Sequence, residues 1–191
     1  MAGIFYDLQF KKIMSSINEQ QVENNYEDLH GIEAVNKIKA LAEKSSTCFF
    51  CTSINKDRPF QTRPMSVQKI DDEGCIWFLS AADSELNAQI LSDNTVQLLF
   101  QGSAHSDFLN LYGVAGISTD KAMISALWEP LAKTWFTEGK DDPRITVIMF
   151  APREGYYWDT KHGNAVAFVK MALGAIMGKT MDDSIEGKII L

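Results

Sequence analysis

The sequence predicts a mainly β fold, an antiparallel barrel of about six strands with helices around it. Short runs of β-branched and aromatic residues follow one another in hairpin order, separated by turns such as Asp71-Asp72-Glu73-Gly74. Helical patterns occur at the ends of the chain and in one crossover. A doubly wound parallel sheet is excluded because parallel strands cannot be joined by hairpin turns.

Residue type and period-two patterning define the predicted strands. Gly113 and Gly116 predict a bulge or a tight bend within one of them. A turn containing Pro152 and Gly155 is expected to separate the last two. The predicted strands are residues 47–54, 60–70, 75–80, 96–101, 108–118, 145–150 and 156–160.

Four amphipathic segments predict helices. The first is expected to pack as a lid on the barrel. Asp83 or Ser84 is the expected N-cap of the second, and Asp120 of the third, which Pro130 should kink or restart. The last is expected to end at Gly178. The predicted helices are residues 31–42, 84–91, 120–136 and 166–177.

Two segments are predicted along the chain. Residues 1–30 are polar with a few apolar side chains and predict a loosely attached arm. Residues 31–191 predict a single domain, because no repeat or linker divides them. The tail after Gly178 is polar, and no strand is predicted there. With 191 residues, 46% of them hydrophobic, the chain can bury a sizeable core.

Composition also restricts the class of partner. A net charge of −7 argues against nucleic acid as the main partner, although a phosphorylated small ligand remains possible. No signal peptide is seen. The longest apolar stretch, residues 165–177, is interrupted by Lys170 and is too short to span a membrane. We therefore expect a cytoplasmic protein.

Cysteine and histidine do not indicate a redox or metal site. Cys48 and Cys51 form a C-x-x-C pattern within a predicted strand, where they point to opposite faces, so we expect two unrelated buried thiols. His30, His105 and His162 are scattered and lack metal-ligand spacing. No metal is expected.

One strand carries a candidate cation. Period two places Arg63 on the same face as Met65 and Val67, so Arg63 either extends to water at the barrel rim or faces an anion. Ser80 ends a predicted strand and Ser84 begins a helix. These two hydroxyls either serve as simple caps or bind an anion beside the unsatisfied N–H groups of the helix. Together with Arg63 they favour a phosphate, and hence a phosphorylated flavin.

The chain also resembles a known family. From about residue 32 to its end it is similar to the pyridoxamine 5′-phosphate oxidase-like FMN-binding split barrels, in particular the general stress proteins. The motifs occur in the same order in the chain. They are Thr62-Arg63-Pro64-Met65, Trp77-Phe78-Leu79-Ser80, Asp83-Ser84, Leu127-Trp128-Glu129-Pro130, Trp135-Phe136, Gly139-Lys140-Asp141-Asp142-Pro143 and Tyr156-Tyr157-Trp158-Asp159-Thr160.

The resemblance implies a six-stranded antiparallel split β-barrel that forms a homodimer, with FMN in two clefts between the subunits. By matching motifs, Arg63 would contact the FMN phosphate and Ser84 would be a second phosphate ligand. Leu79 and Ser80 would lie along the isoalloxazine ring and the ribityl chain.

The same resemblance assigns four residues to the flavin ring. Pro64, Met65 and Ser66 would run beside the isoalloxazine ring and offer backbone groups to it. Trp158 would approach the flavin from the late strand.

The chain departs from the family at one point. A lysine, often with a second basic residue, follows the serine of the D-S motif in the family, whereas this chain has Glu85 and Leu86. Loss of a phosphate cation predicts weaker FMN binding than in typical relatives. Lys140, or a cation of the other subunit, could compensate.

The implied function is that of an FMN-dependent oxidoreductase of unknown substrate. Vitamin B6 phosphate oxidation itself is disfavoured, because the basic C-terminal segment of the true oxidases is missing. The alternatives are a non-catalytic flavin-binding or stress-response protein and a relative with weakened or lost FMN binding. No catalytic residue is assigned. Residues 174–180 resemble a phosphate loop but have three residues between their glycines where that loop needs four.

Overall fold

The computed structural model describes residues 24–55, 59–177 and 183–191. These residues form nine β-strands, four α-helices and two short 3₁₀ segments, so the predicted mainly β fold class is confirmed. The strands are β1 (Leu29–His30), β2 (Thr47–Thr52), β3 (Gln61–Ser66), β4 (Lys69–Ile70), β5 (Ile76–Ala81), β6 (Thr95–Gln101), β7 (Phe108–Ser118), β8 (Ile145–Thr160) and β9 (Ser184–Ile190). The helices are α1 (Gly31–Ser45), α2 (Glu85–Ser92), α3 (Lys121–Leu127) and α4 (Asn164–Met177).

The sheet is antiparallel except where β1 pairs with β9. Its order is β1-β9-β8-β7-β6-β2-β3, and β5 pairs with both β8 and β4. Because β3 and β4 belong to one segment, residues 61–70, that segment pairs with β2 at its start and with β5 at its end. This segment closes the sheet into a barrel, whose six expected strands correspond to β2, β3, β5, β6, β7 and β8.

Two strand predictions were wrong in their boundaries. Residues 60–70 form β3 and β4 rather than one strand, because the pairing partner changes at Val67, whose N–H donates to Ser46. Residues 145–160 form one 16-residue strand, β8, rather than two. β8 stays continuous because β7 pairs with residues 147–158, across the predicted turn, while β5 and β9 share the other side.

The predicted bulge in β7 is confirmed at Gly113. The pairing of β7 with β8 shifts register between Tyr112 and Gly113, opposite Pro152. A Cβ atom on Gly113 would lie 2.2 Å from the carbonyl oxygen of Ala151, so only glycine fits this close approach. Gly116, in contrast, has open space around its Cα atom.

The polar tail of the chain forms a strand that was not predicted. β9 pairs with β8, and residues 24–30 run along its other edge, where Glu27 N–H donates to the Glu186 carbonyl oxygen at 2.9 Å. The charged residues of β9 obscure its apolar alternation. These bonds attach the described end of the predicted arm, of which residues 1–23 lie outside the described residues. The division into an arm and a domain stays a prediction.

The four predicted helices are present: α1 and α4 are longer than predicted, α2 is shifted by one residue, and α3 is shorter. α1 buries Ala34, Ile38, Leu41 and Ala42 against the barrel, as expected of a lid. Asp120 caps α3, which ends at Leu127, and a 3₁₀ segment begins at Pro130. The predicted restart at Pro130 is confirmed. α4 ends at Met177, and the expected end at Gly178 lies outside the described residues.

Two apolar clusters form the core. The larger one fills the barrel beneath α1 and includes an edge-to-face pair of Phe50 and Phe78, with ring centroids 5.3 Å apart. The smaller one lies outside the barrel, under α3 and the 3₁₀ segment Pro130–Thr134. β5 contributes side chains to both clusters, because Phe78 faces the barrel and Leu79 faces the smaller cluster.

The cysteine prediction is confirmed. Cys48 and Cys51 are buried and form no disulfide. Burial raises the pKa of both thiols, which keeps them protonated and unreactive. None of the helices within residues 24–55, 59–177 and 183–191 is both long and apolar enough to cross a membrane.

We expect Gly187→Ala to lower the free energy of unfolding by about 1–3 kcal/mol, because overpacking forces the backbone to shift. A Cβ atom there would lie 1.8 Å from the carbonyl oxygen of Glu27. Urea unfolding measures the change. Gly116→Ala is the control and should change stability by less than about 0.5 kcal/mol. Equal stabilities of the two variants would show that residues 24–30 are not held against β9.

Candidate functional site

Helix α2 begins at a pair of hydroxyl groups. Ser84 caps the helix, with its Oγ accepting a hydrogen bond from the Asn87 backbone N–H at 3.2 Å. The Ser80 Oγ, at the end of β5, lies 3.2 Å from the Ser84 Oγ. Of the two roles considered for Ser84, a helix cap or an anion ligand, the structure shows the cap. Because a hydroxyl both donates and accepts, its O–H is still able to donate to Ser80 or to a ligand.

Arg63 turns toward the same helix. It lies opposite Phe50 in the β2–β3 pair, on the face of β3 that looks into the barrel. Its Nη2 donates to the Gln89 Oε1 at 2.9 Å, and its Nη1 lies 3.5 Å from the Thr52 Oγ1. The half-buried guanidinium is thus held by protein groups, rather than extending freely to water.

Gln89 joins these residues into one site. Its Oε1 accepts from both Arg63 and Thr52, and its Nε2 donates to a Glu85 carboxylate oxygen at 2.9 Å. Gln89 follows Ser84 by five residues, which is about 7.5 Å of helix. The structure therefore places Arg63 beside the middle of α2, and Ser80 and Ser84 at its start.

The structure separates the two positions at which the family pattern has basic residues. Leu86 is only 4% exposed and packs in the larger core cluster, whereas Glu85 is exposed on the first turn of α2. Only Glu85 occupies a position from which a cation could reach a ligand in solvent. A lysine at position 86 would bury its charge in the core.

A buried polar chain fixes α2 to the sheet. Asn87 is 2% exposed, and its Nδ2 donates to the Thr146 Oγ1 of β8 at 2.8 Å. That hydroxyl in turn donates to the Ser80 carbonyl oxygen at 3.1 Å. The Asn87 Oδ1 has no hydrogen-bond partner among the described residues. An unpaired acceptor beside Ser80 is suited to a water or to a hydroxyl of a ligand.

A second arginine lies beside the loop that enters α2. The Arg144 carbonyl oxygen accepts from the Ala82 N–H at 2.7 Å, and the Arg144 side chain makes two bonds, of 3.1 and 2.7 Å, to the buried Asp142 carboxylate. These bonds lower the pKa of Asp142. The bond to Asp142 and the nearby Asp83 charge raise the pKa of Arg144. Arg144 is a cation whose charge the protein already neutralises.

The residues expected beside a flavin ring lie mainly along β3. Pro64 and Ser66 are exposed, and Met65 packs against the larger core cluster. Among the described strands, β3 pairs only with β2, so the backbone groups of its other edge face outward. Leu79 points into the smaller cluster, so only its backbone can line the same site as Ser80.

Trp158 does not join this site within one chain. Ser80 pairs with Thr146 of β8, and Trp158 lies twelve residues further along that strand, or about 40 Å. Trp158 is 41% exposed and packs against Tyr156, with ring centroids 4.6 Å apart. A single site containing both Ser80 and Trp158 therefore requires two copies of the chain.

Trp158 lines a cavity of about 600 Å³ between the sheet and α4. That volume is within the usual range for small-molecule sites. The walls are mostly apolar, and the buried Thr160 Oγ1 has no hydrogen-bond partner among the described residues. Other residues of the wall include Phe108, Asn110, Ala167 and Met171.

A charged cluster anchors the helix that covers this cavity. The buried Asp183 carboxylate accepts from the His162 Nδ1 and from the Lys170 Nζ, each at 2.7 Å. Burial acts to raise the pKa of Asp183, but the hydrogen bonds from Lys170 and His162 outweigh it and lower the pKa to about 2. The carboxylate therefore stays ionised at neutral pH and holds α4 to the start of β9.

The acidic hairpin turn has a structural role. Asp71, Glu73 and Cys75 come close enough together to hold a metal ion. The Asp71 carboxylate already accepts from the backbone N–H groups of Glu73 and Cys75, at 3.1 and 2.9 Å, and from the Trp77 indole N–H at 2.9 Å. Through these bonds the Asp71 carboxylate stabilises the turn.

Several residues of the site were not predicted from the sequence. Gln89 occupies a polar position of an amphipathic helix, which is also the pattern of a solvent-exposed residue. Thr52 was assigned only to a strand. Asn87 and Thr146 are buried polar residues that bond to each other, although they lie 59 residues apart in sequence. Only the fold reveals the two pairs that these side chains form, Gln89 with Thr52 and Asn87 with Thr146.

The closed, mostly antiparallel sheet with helices around it defines the class of the protein as a small β-barrel. A profile of the family "Pyridoxamine 5'-phosphate oxidase like" matches residues 33–182. The chain belongs to this family. Protein bli-3 of Neurospora crassa is a relative, 22% identical over 156 residues that cover 77% of this chain and 75% of bli-3.

Solved structures support the same fold. A general stress protein 26 from Jannaschia sp. CCS1 superimposes with a TM-score of 0.68 at 22% identity, covering 84% of this chain and all of that one. The general stress FMN/FAD binding protein from Xanthomonas citri has a TM-score of 0.54 at 28% identity, covering 64% of this chain and 84% of its own. The resemblance to general stress proteins is thus confirmed.

Proposed function

We propose that this protein is an FMN-binding flavoprotein that acts as an oxidoreductase. The observation that carries the proposal is that Arg63 and the paired hydroxyls of Ser80 and Ser84 contact the same short helix, with Gln89, the partner of Arg63, about 7.5 Å along α2 from Ser84. A cation and hydroxyl donors at a helix N-terminus are the groups that a ribityl phosphate requires. The donor set therefore fits FMN, and the similar Xanthomonas citri protein is described as binding FMN or FAD.

The chain's own residues bind and orient the cofactor. Arg63 and Ser84 contact the phosphate, and Ser80 contacts the ribityl chain. The backbone of Pro64, Met65 and Ser66, at the open edge of β3, runs beside the ring, as does the backbone of Leu79. When bound, the flavin supplies the redox chemistry, and the protein positions it and limits access of water.

A homodimer completes the site. Because Trp158 lies about 40 Å along β8 from the residue that pairs with Ser80, Trp158 reaches the flavin from the second copy. The outer face of the sheet carries apolar side chains that a second copy would cover, including Phe49, which is 56% exposed. The cavity beside Trp158 then offers room for an apolar substrate next to the partner's flavin.

A second candidate function is favoured by Glu85. A carboxylate on the first turn of α2 opposes a phosphate, which fits a family member that binds the cofactor weakly or holds it without turnover. Oxidation of reduced nicotinamide by the FMN-loaded protein distinguishes the two functions. Steady turnover supports the oxidoreductase, and loading without turnover supports the non-catalytic protein.

Arg63→Gln should weaken FMN binding about tenfold or more, because it removes a charge-assisted hydrogen bond worth roughly 1.5–3 kcal/mol. Quenching of flavin fluorescence during titration measures the dissociation constant. Arg153→Gln, which removes an exposed arginine of β8, is the matched control and should bind like the unmodified protein. If Arg63→Gln also binds like the unmodified protein, Arg63 is not the phosphate ligand.

The shared site predicts complementation between two defective variants. Arg63→Gln and Trp158→Ala should each weaken both sites of their own homodimer. When the two are co-expressed, each mixed dimer carries one intact site, so about a quarter of all sites should regain the original affinity. Titration of the co-expressed protein with FMN counts these sites. The absence of any restored site would place Trp158 outside the partner's flavin site.

A further inference from the structure

The charges around the first turns of α2 nearly cancel. Arg63 is held by two neutral side chains, Gln89 and Thr52, and Gln89 also donates to the carboxylate of Glu85. Glu85 is exposed on the first turn, beside the cap residue Ser84. The one guanidinium that faces the site is therefore linked, through a single amide, to a carboxylate.

The second guanidinium nearby adds little positive charge. Arg144 is paired with the buried Asp142 through two hydrogen bonds, and the charge of Asp83 also acts on it. These contacts place two cations, Arg63 and Arg144, against the carboxylates of Asp83, Glu85 and Asp142. The local balance is negative, whereas a phosphate site usually has an excess of cations.

The site can bind hydroxyl groups as well as phosphate oxygens. A phosphate dianion can only accept hydrogen bonds, and it is repelled by carboxylates. A sugar hydroxyl can donate to the Glu85 carboxylate, to the Ser84 Oγ or to the Gln89 Oε1, and it can also accept from Arg63.

We propose that this site gains less from the phosphate of its ligand than a site with two phosphate cations does, so that it prefers FMN over riboflavin, the uncharged flavin, by less than about thirtyfold. The proposal rests on the flavin site proposed above. A site with two phosphate cations favours FMN over riboflavin by about a hundredfold or more, since each cation makes a charge-assisted hydrogen bond. Here Arg63 acts alone and Glu85 opposes it, so the preference for FMN stays below about thirtyfold.

The test is a comparison of dissociation constants for FMN and riboflavin. Both flavins are titrated into the full-length protein, into Glu85→Lys and into Glu43→Lys, with quenching of flavin fluorescence as the readout. Glu43 is exposed on α1, so its substitution changes the net charge equally but away from the site. Equilibrium dialysis with each flavin gives an independent value of the same constants.

The unmodified protein and Glu43→Lys should prefer FMN by less than about thirtyfold, and Glu85→Lys should raise that preference about tenfold or more by tightening FMN alone. A preference for FMN above thirtyfold in the unmodified protein overturns the inference and leaves flavin binding intact. An unchanged preference in Glu85→Lys also overturns it. If neither flavin binds any of the three proteins, the proposed flavin function fails, and the inference fails with it.

Discussion

The hydrogen bond between Arg63 and Gln89 ties the open edge of the barrel to helix α2, and the candidate site depends on it. An arginine on an edge strand has many rotamers, and holding it in one of them before a ligand arrives reduces the entropy lost on binding. Gln89 can hold it because α2 is itself fixed. Ser84 caps the helix, and Asn87 bonds to Thr146 of β8 at the opposite side.

The length of β8 explains why one chain carries only part of the proposed site. The strand extends from the smaller core cluster, where Val147 pairs with Leu79, to the outer cavity, where Trp158 pairs with Phe108. β7 supports it throughout, and the bulge at Gly113 lets it continue past Pro152. A long, stiff strand holds the anion-binding end and the aromatic end of the molecule apart. A second copy is the simplest way to bring the two ends together.

Local patterns in the sequence predicted much of this architecture. Period two placed Arg63 and Met65 on one face of their strand, and the structure agrees, because Arg63 lies opposite Phe50 and Met65 opposite Cys48. Helix-start chemistry predicted a cap at Asp83 or Ser84, and Ser84 provides it. The prediction was less accurate where the pairing partner decides the outcome, since no local pattern reports which strand lies beside another. The single strand β8 and the strand β9 in a polar tail are both examples.

The site itself was predictable only in part. Arg63, Ser80 and Ser84 were found because their residue types and their places at strand and helix ends carry chemical meaning. Gln89, Thr52 and Asn87 lack such a signal, because polar residues of these types occupy many surface positions. Glu85 and Leu86 were treated as equivalent from their positions in a motif. The helix separates them, with one side chain in solvent and the other in the core.

A crystal structure of the protein grown with excess FMN tests the central claim most directly. The account predicts that the Arg63 guanidinium contacts the phosphate near Ser84, while the indole of a second copy's Trp158 lies against the same flavin. A structure in which Arg63 still contacts only Gln89 and Thr52, with the flavin absent or bound elsewhere, would contradict it.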